Sequence, residues 1–199
     1  PRLYKHEGCP RFIPKAQIRS VLSIVDRTTR VGRRDYAMIL LLATYGLRGI
    51  EVIRLVLDDI DWRNNRLRIG GRKAGNTTFY PLTAEVGEAI LTYLRNGRPC
   101  SSSRRVFLSV KAPFPPLACT AALGIQVRKY FKQVGVQIDR PGTHTFRYSC
   151  AQRLLGRAMP LKTIGDFLGH RDPNSTQRYT KIAIEQLREV ALSAEEVLR

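Results

Sequence analysis

Two of the three histidines in this 199-residue chain, His144 and His170, fall in its last third, inside HTFRYSCAQRLL and FLGHRDPNSTQRYTKI. The first segment also holds Arg147 and the second Tyr179. A helix starting near Thr143 would set His144 and Arg147 three residues apart on one face, where an imidazole and a guanidinium converge on one anion. Each residue alone has a plainer reading: His144 as a helix-start residue, His170 as a helix-end cation, Arg147 as a solvated arginine, Tyr179 as a core or interface aromatic. The clustering of the two histidine segments is a first clue against those plain readings, and convergence on phosphate is what a basic chain would need.

The composition points the same way. The chain carries 34 Lys plus Arg against 16 Asp plus Glu, a formal charge of +18. Such a balance favours polyanion partners, because each neutralised phosphate releases condensed counterions. The cations are spread along the chain and form no single juxtamembrane block, so nucleic acid is expected over a membrane surface. Aromatic residues make up only 8%, few for a single-stranded RNA reader that stacks bases. No apolar run approaches the roughly 18 residues of a membrane span, and PRLYKHEGCPRF has no apolar signal core. A soluble cytoplasmic protein is expected, and its start at Pro1 suggests a fragment or a processed chain.

The four cysteines, Cys9, Cys100, Cys119 and Cys150, sit far apart and form no C-x-x-C pair. No zinc site is expected, and reduced, largely buried thiols are favoured over two disulfides. Asp58, Asp59 and Asp61 are the one dense acidic group. They read as a solvated turn leading into Trp62, since ligands of a hard cation should converge from several elements. No metal or other cofactor is expected.

The elements that must position these residues are mostly helical. With 43% hydrophobic and 25% charged residues, one compact domain is expected. Residues 1–14, broken by Gly8, Pro10 and Pro14, read as a linker or tail. Helices are expected over Lys15–Asp26, over Arg33–Tyr45 with a stop at Gly46, and over Ile50–Leu55. Alternation around GGRKAGN, with Leu67 and Ile69 before it and Phe79 and Pro81 after it, predicts a β-hairpin with Lys73 near its tip. Thr83 is expected to N-cap a helix reaching about Leu94. A short strand over Val106–Ser109, a helical stretch over Leu117–Val134 and a run of short helices from Thr143 complete the reading. The fold class is mainly α with a small antiparallel β-sheet, α+β.

Read together, the segments closely resemble the tyrosine recombinase, or phage integrase, family across nearly the whole chain. ATYGLRGIEVIRL is similar to the family's first arginine segment and places a catalytic arginine at Arg48 and the matching acid at Glu51. DDIDWRNNRLRIGGRKAGNTTFYPL resembles the segment leading through the family's hairpin, with Lys73 at the lysine position and Arg72 as second choice. His144 and Arg147 match its His-x-x-Arg, Leu168, Gly169 and His170 its Leu-Gly-His, and Tyr179 its terminal tyrosine. The resemblance implies the DNA breaking-rejoining fold and metal-free strand transfer: Tyr179 as nucleophile, Arg48 and Arg147 clamping the non-bridging oxygens, Lys73 protonating the leaving oxygen, His144 accepting the phenol proton and His170 holding a phosphate oxygen. It further implies double-stranded DNA as partner and dimers or tetramers on it, with the protein nucleoid-associated when bound. A catalytic domain would cover 15–182, and 183–199 would form a helix that packs at home or is exchanged between subunits. A separate N-terminal DNA-binding domain usually accompanies such a part. A non-catalytic DNA-binding protein of the same fold and a type IB topoisomerase-like enzyme are the alternatives.

Overall fold

The structure, a computed structural model, describes residues 12–71 and 77–169. Its centre is helix α2, Arg30–Tyr45. Ala37 to Ala43 are all at most 5% exposed, because α2 is covered on several sides by α4 (Ala84–Asn96), α5 (Ala121–Gln133) and α6 (Thr143–Leu155). A helix apolar all round is stable only when so enclosed. Thr29 starts α2 by accepting a hydrogen bond from the Gly32 amide, a turn earlier than its apolar pattern suggested. It stops at Gly46, whose left-handed backbone (φ 62°) is the conformation glycine adopts without a Cβ penalty.

Helix α1 spans Lys15–Ser23, ending before the expected Asp26, where that side chain caps the turn through the Thr28 amide and hydroxyl. The end of the opening segment is packed: Ile13 is 3% exposed and its amide donates to Ser149 Oγ at 2.9 Å. Residues 1–11 lie outside the described part.

Helix α3, Gly49–Arg54, leads through a 3-10 turn, Leu57–Asp59, into an antiparallel sheet in the order β1 (Ile60–Asp61), β2 (Arg66–Ile69), β3 (Thr78–Pro81). The expected hairpin is β2–β3, with Leu67 opposite Tyr80 and Arg68 opposite Phe79. Leu67, Ile69 and Tyr80 face the core, whereas Arg66, Arg68 and Phe79 face outward, the period-two alternation that signalled the strands. Thr83 caps α4 through the Val86 amide, as expected.

Two expectations need correcting. Val106–Ser109 is no strand: its neighbourhood makes only isolated bridges, Val56 with Arg105 and Leu108 with Pro116. Val106, Phe107 and Leu108 are fully buried, so their apolar run serves the core and not a ladder. The helix expected from Leu117 begins at Ala121, after a stretch kept irregular by Pro113, Pro115 and Pro116. The chain closes its described part with α6 and α7 (Leu161–Leu168). No helix among the described residues is long and apolar enough to cross a membrane.

A buried ionic cluster ties α2 to its surroundings. Arg34 donates to Asp35 at 2.9 Å and to the Leu108 carbonyl at 3.1 Å, while the Tyr130 hydroxyl donates to Asp35 at 3.3 Å. Burial of Asp35 outweighs these partners and raises its pKa above the usual carboxylate range. Burial, with the Asp35 charge second, pushes the Tyr130 phenol up to about 12.

Candidate active site

Arg48 leaves the turn after Gly46 and caps the start of α3. Its backbone amide donates to Glu51 Oε2 at 2.7 Å and its guanidinium Nη1 to Oε1 at 3.1 Å. One carboxylate thus satisfies an orphan amide at the helix start and fixes the arginine head. The Arg48 side chain keeps 27% exposure, which leaves it reachable from solvent.

Arg147 lies one helical turn after His144 in α6. The shared face is observed, but burial divides it: His144 is exposed and Arg147 is only 4% exposed. The Arg147 guanidinium donates through Nη1 to the Gly46 carbonyl at 2.8 Å and through Nη2 to the Leu168 carbonyl at 2.6 Å. It therefore joins the turn that presents Arg48 to the end of α7, the helix that leads towards His170.

The α3 and α6 starts also touch. A Cβ built on Gly49 would sit 3.2 Å from Thr143 Oγ1 and 3.3 Å from Thr120 Cγ2. Only a glycine beside Arg48 allows this approach without displacing one of those neighbours. The structure thus brings Arg48, Glu51, His144 and Arg147 into one region. Lys73, with Arg72, His170 and Tyr179 lie outside the described residues, as does 183–199.

Sequence reasoning missed the set that locks this region from behind. Arg153 donates to the Ala43 carbonyl, and the Cys150 thiol to that of Thr44 at 3.7 Å. With Arg147 they form a row three residues apart along α6, closing on the C-terminal carbonyls of α2. The spacing 147, 150, 153 was readable, but which carbonyls it faced was not. Cys150 is buried, and burial raises its thiol pKa, whereas Cys100 and Cys119 are exposed, against the expectation of largely buried thiols. The acidic group is divided among separate partners: Asp58 pairs with Arg104, Asp59 with Arg68 and the Val56 amide, and Asp61 with Asn64. Those hydrogen bonds hold the Asp58 and Asp61 carboxyls below their usual range.

Known proteins are similar to this chain over most of its length. The chain is 43% identical over 185 residues to y4gC of Sinorhizobium fredii, which is named as an integrase/recombinase, covering 92% of this chain and 95% of that protein. It is 45% identical over 183 residues to y4rA of the same organism, spanning 44% of that protein's length. The tyrosine recombinase XerD of Ralstonia nicotianae is 30% identical over 181 residues, 90% of this chain and 58% of XerD. Among solved structures, the XerH site-specific recombinase bound to palindromic difH superposes with a TM-score of 0.78 at 22% identity, covering 92% of this chain and 53% of that one. The mainly helical architecture with one small antiparallel sheet is that of tyrosine recombinase catalytic domains. The family model described as the phage integrase family matches residues 11–186, and the chain belongs to that family.

Proposed function

We propose that this chain is the catalytic domain of a site-specific tyrosine recombinase that cleaves and rejoins double-stranded DNA. The observation that carries the reading is the Arg147–Gly46 hydrogen bond, which draws two arginines from distant segments into one region, with His144 at the same helix start. Two planar cations set on one phosphate stabilise a pentavalent transition state more than the ground state.

In this reading Tyr179 Oη attacks the scissile phosphorus, forming a P–O bond to the phenol as the bond to the 5′ oxygen breaks. Arg48 and Arg147 neutralise the non-bridging oxygens and His170 donates a hydrogen bond to one of them. Lys73 gives its proton to the departing 5′ oxygen, and His144 accepts the phenol proton. The 3′-phosphotyrosyl link keeps the phosphodiester energy, so a second 5′ hydroxyl can reverse the step on a new partner. Residues 15–182 form this catalytic unit, and 183–199 form a helix exchanged between subunits in dimers or tetramers on DNA. The protein works at the nucleoid in the cytoplasm.

Nicked suicide duplexes drawn from sequence flanking the gene, resolved on denaturing gels, test it. A protease-sensitive DNA adduct that disappears in Tyr179→Phe is expected. Tight binding with no adduct on any substrate would replace it with the non-catalytic DNA-binding reading.

A further inference from the structure

A groove of about 550 Å³ is lined by Arg48, by Arg54 of α3, by Arg68 of β2 and by Gly70. Its lining includes Leu55 and Ile69, which are 2% and 3% exposed. Its two carboxylates are engaged in orienting arginines: Glu51 holds Arg48 at 3.1 Å and Asp59 holds Arg68 at 2.9 Å. Arg54 is exposed and has no carboxylate partner among the described residues. The Arg105 guanidinium, which donates to the Arg54 carbonyl, adds a further cation beside the end of α3.

Arginines and buried apolar side chains in one lining suit a sugar–phosphate backbone, where deoxyribose carbons separate charged phosphates. Arg68 is already fixed by Asp59, so less side-chain freedom is lost when it takes an anion. We propose that this groove seats the backbone of duplex DNA flanking the reacting phosphate, with Arg54 and Arg68 each contacting one phosphate. The assignment rests on the recombinase reading, and it adds binding residues that the strand-transfer chemistry does not require. Contacts of this kind set register and affinity, and carry no base sequence.

Fluorescence anisotropy of the full chain with a short labelled duplex of arbitrary sequence, titrated with salt, tests it. Each phosphate contact contributes about 0.9 to the slope of log affinity against log salt. Arg54→Ala and Arg68→Ala should each lower the slope by about that amount and the double variant by about twice as much, whereas Arg68→Lys should retain it. Arg95→Ala removes an exposed arginine on the α4 face that carries Glu85 and Glu88 and should leave the slope unchanged. Slopes unaltered in Arg54→Ala, or lowered equally by Arg95→Ala, overturn the groove while wild-type adduct formation still supports the recombinase. Displacement of the duplex by polyglutamate as readily as by unlabelled duplex also overturns it, in favour of an acidic protein partner. Wild-type protein that neither binds duplex nor forms an adduct removes both readings.

Discussion

Arg147 and Gly46, 101 residues apart, are joined by a 2.8 Å hydrogen bond from the guanidinium to the glycine carbonyl. Arg147 thus has a structural duty beside the chemical one proposed for it, and Arg48, a more exposed side chain held by Glu51, has much less. Arg147→Ala leaves the buried Gly46 and Leu168 carbonyls without their donors and should cost about 2–4 kcal/mol in urea unfolding. Arg48→Ala should cost at most about 1 kcal/mol. Both should abolish the DNA adduct. Equal stability losses in the two variants would contradict this division of roles.

Glu51 positions Arg48 from two directions, through its amide at 2.7 Å and its guanidinium at 3.1 Å. Glu51→Ala should lower stability by about 1 kcal/mol, as loss of a helix cap does, and slow adduct formation at saturating DNA by about 10- to 100-fold through a misplaced arginine. Glu51→Gln keeps an acceptor for the amide but loses the ion pair. Its melting temperature should stay near wild type while its cleavage rate falls, a split that single-turnover gels and thermal melts resolve.

At Gly49 the limit is space. An alanine Cβ would press on Thr143 and Thr120 at 3.2 and 3.3 Å, pushing the starts of α5 and α6 away from Arg48. Gly49→Ala should cost about 1 kcal/mol of overpacking and slow cleavage. Adding Thr120→Ser, which deletes the crowding methyl, should restore part of the rate. No recovery would mean that the close approach does not set the arginine's position.

Asp35 gives a pH dependence. Burial raises its folded pKa above the unfolded value, so its contribution to stability is complete below about pH 4 and is lost as pH rises through the raised value. Asp35→Asn removes that loss. The wild-type advantage over Asp35→Asn in urea midpoints should therefore shrink as pH rises above about 4. An advantage that grows over this range would show that Arg34 lowers the Asp35 pKa more than burial raises it.

Much of this frame is legible in local sequence, because local rules create it. Gly46 as a stop, Thr83 as a cap and the alternation around the hairpin each concern residues a few positions apart. Val106–Ser109 misled because a short apolar run looks alike whether it enters a ladder or the core. The arginine, histidine and tyrosine positions were legible as family segments, yet their exposure was not: nothing in HTFRYSCAQRLL says that Arg147 is sealed against two carbonyls while His144 meets solvent. The carbonyl partners of Cys150 and Arg153 depend on where α2 ends relative to α6, more than 100 residues away in sequence.

That row of donors on α6 also sets an order of events. Helix α2 has no basic residue in its own last turn, and the side chains that answer its terminal carbonyls arrive only with Arg147, Cys150 and Arg153. A nascent chain that has emerged only as far as α5 carries Arg48, held by Glu51, on a turn that still lacks the Arg147 donor from α6. The arginine pair is therefore a late product of synthesis, and a chain cut in the exposed 111–116 loop should regain it only when both fragments associate.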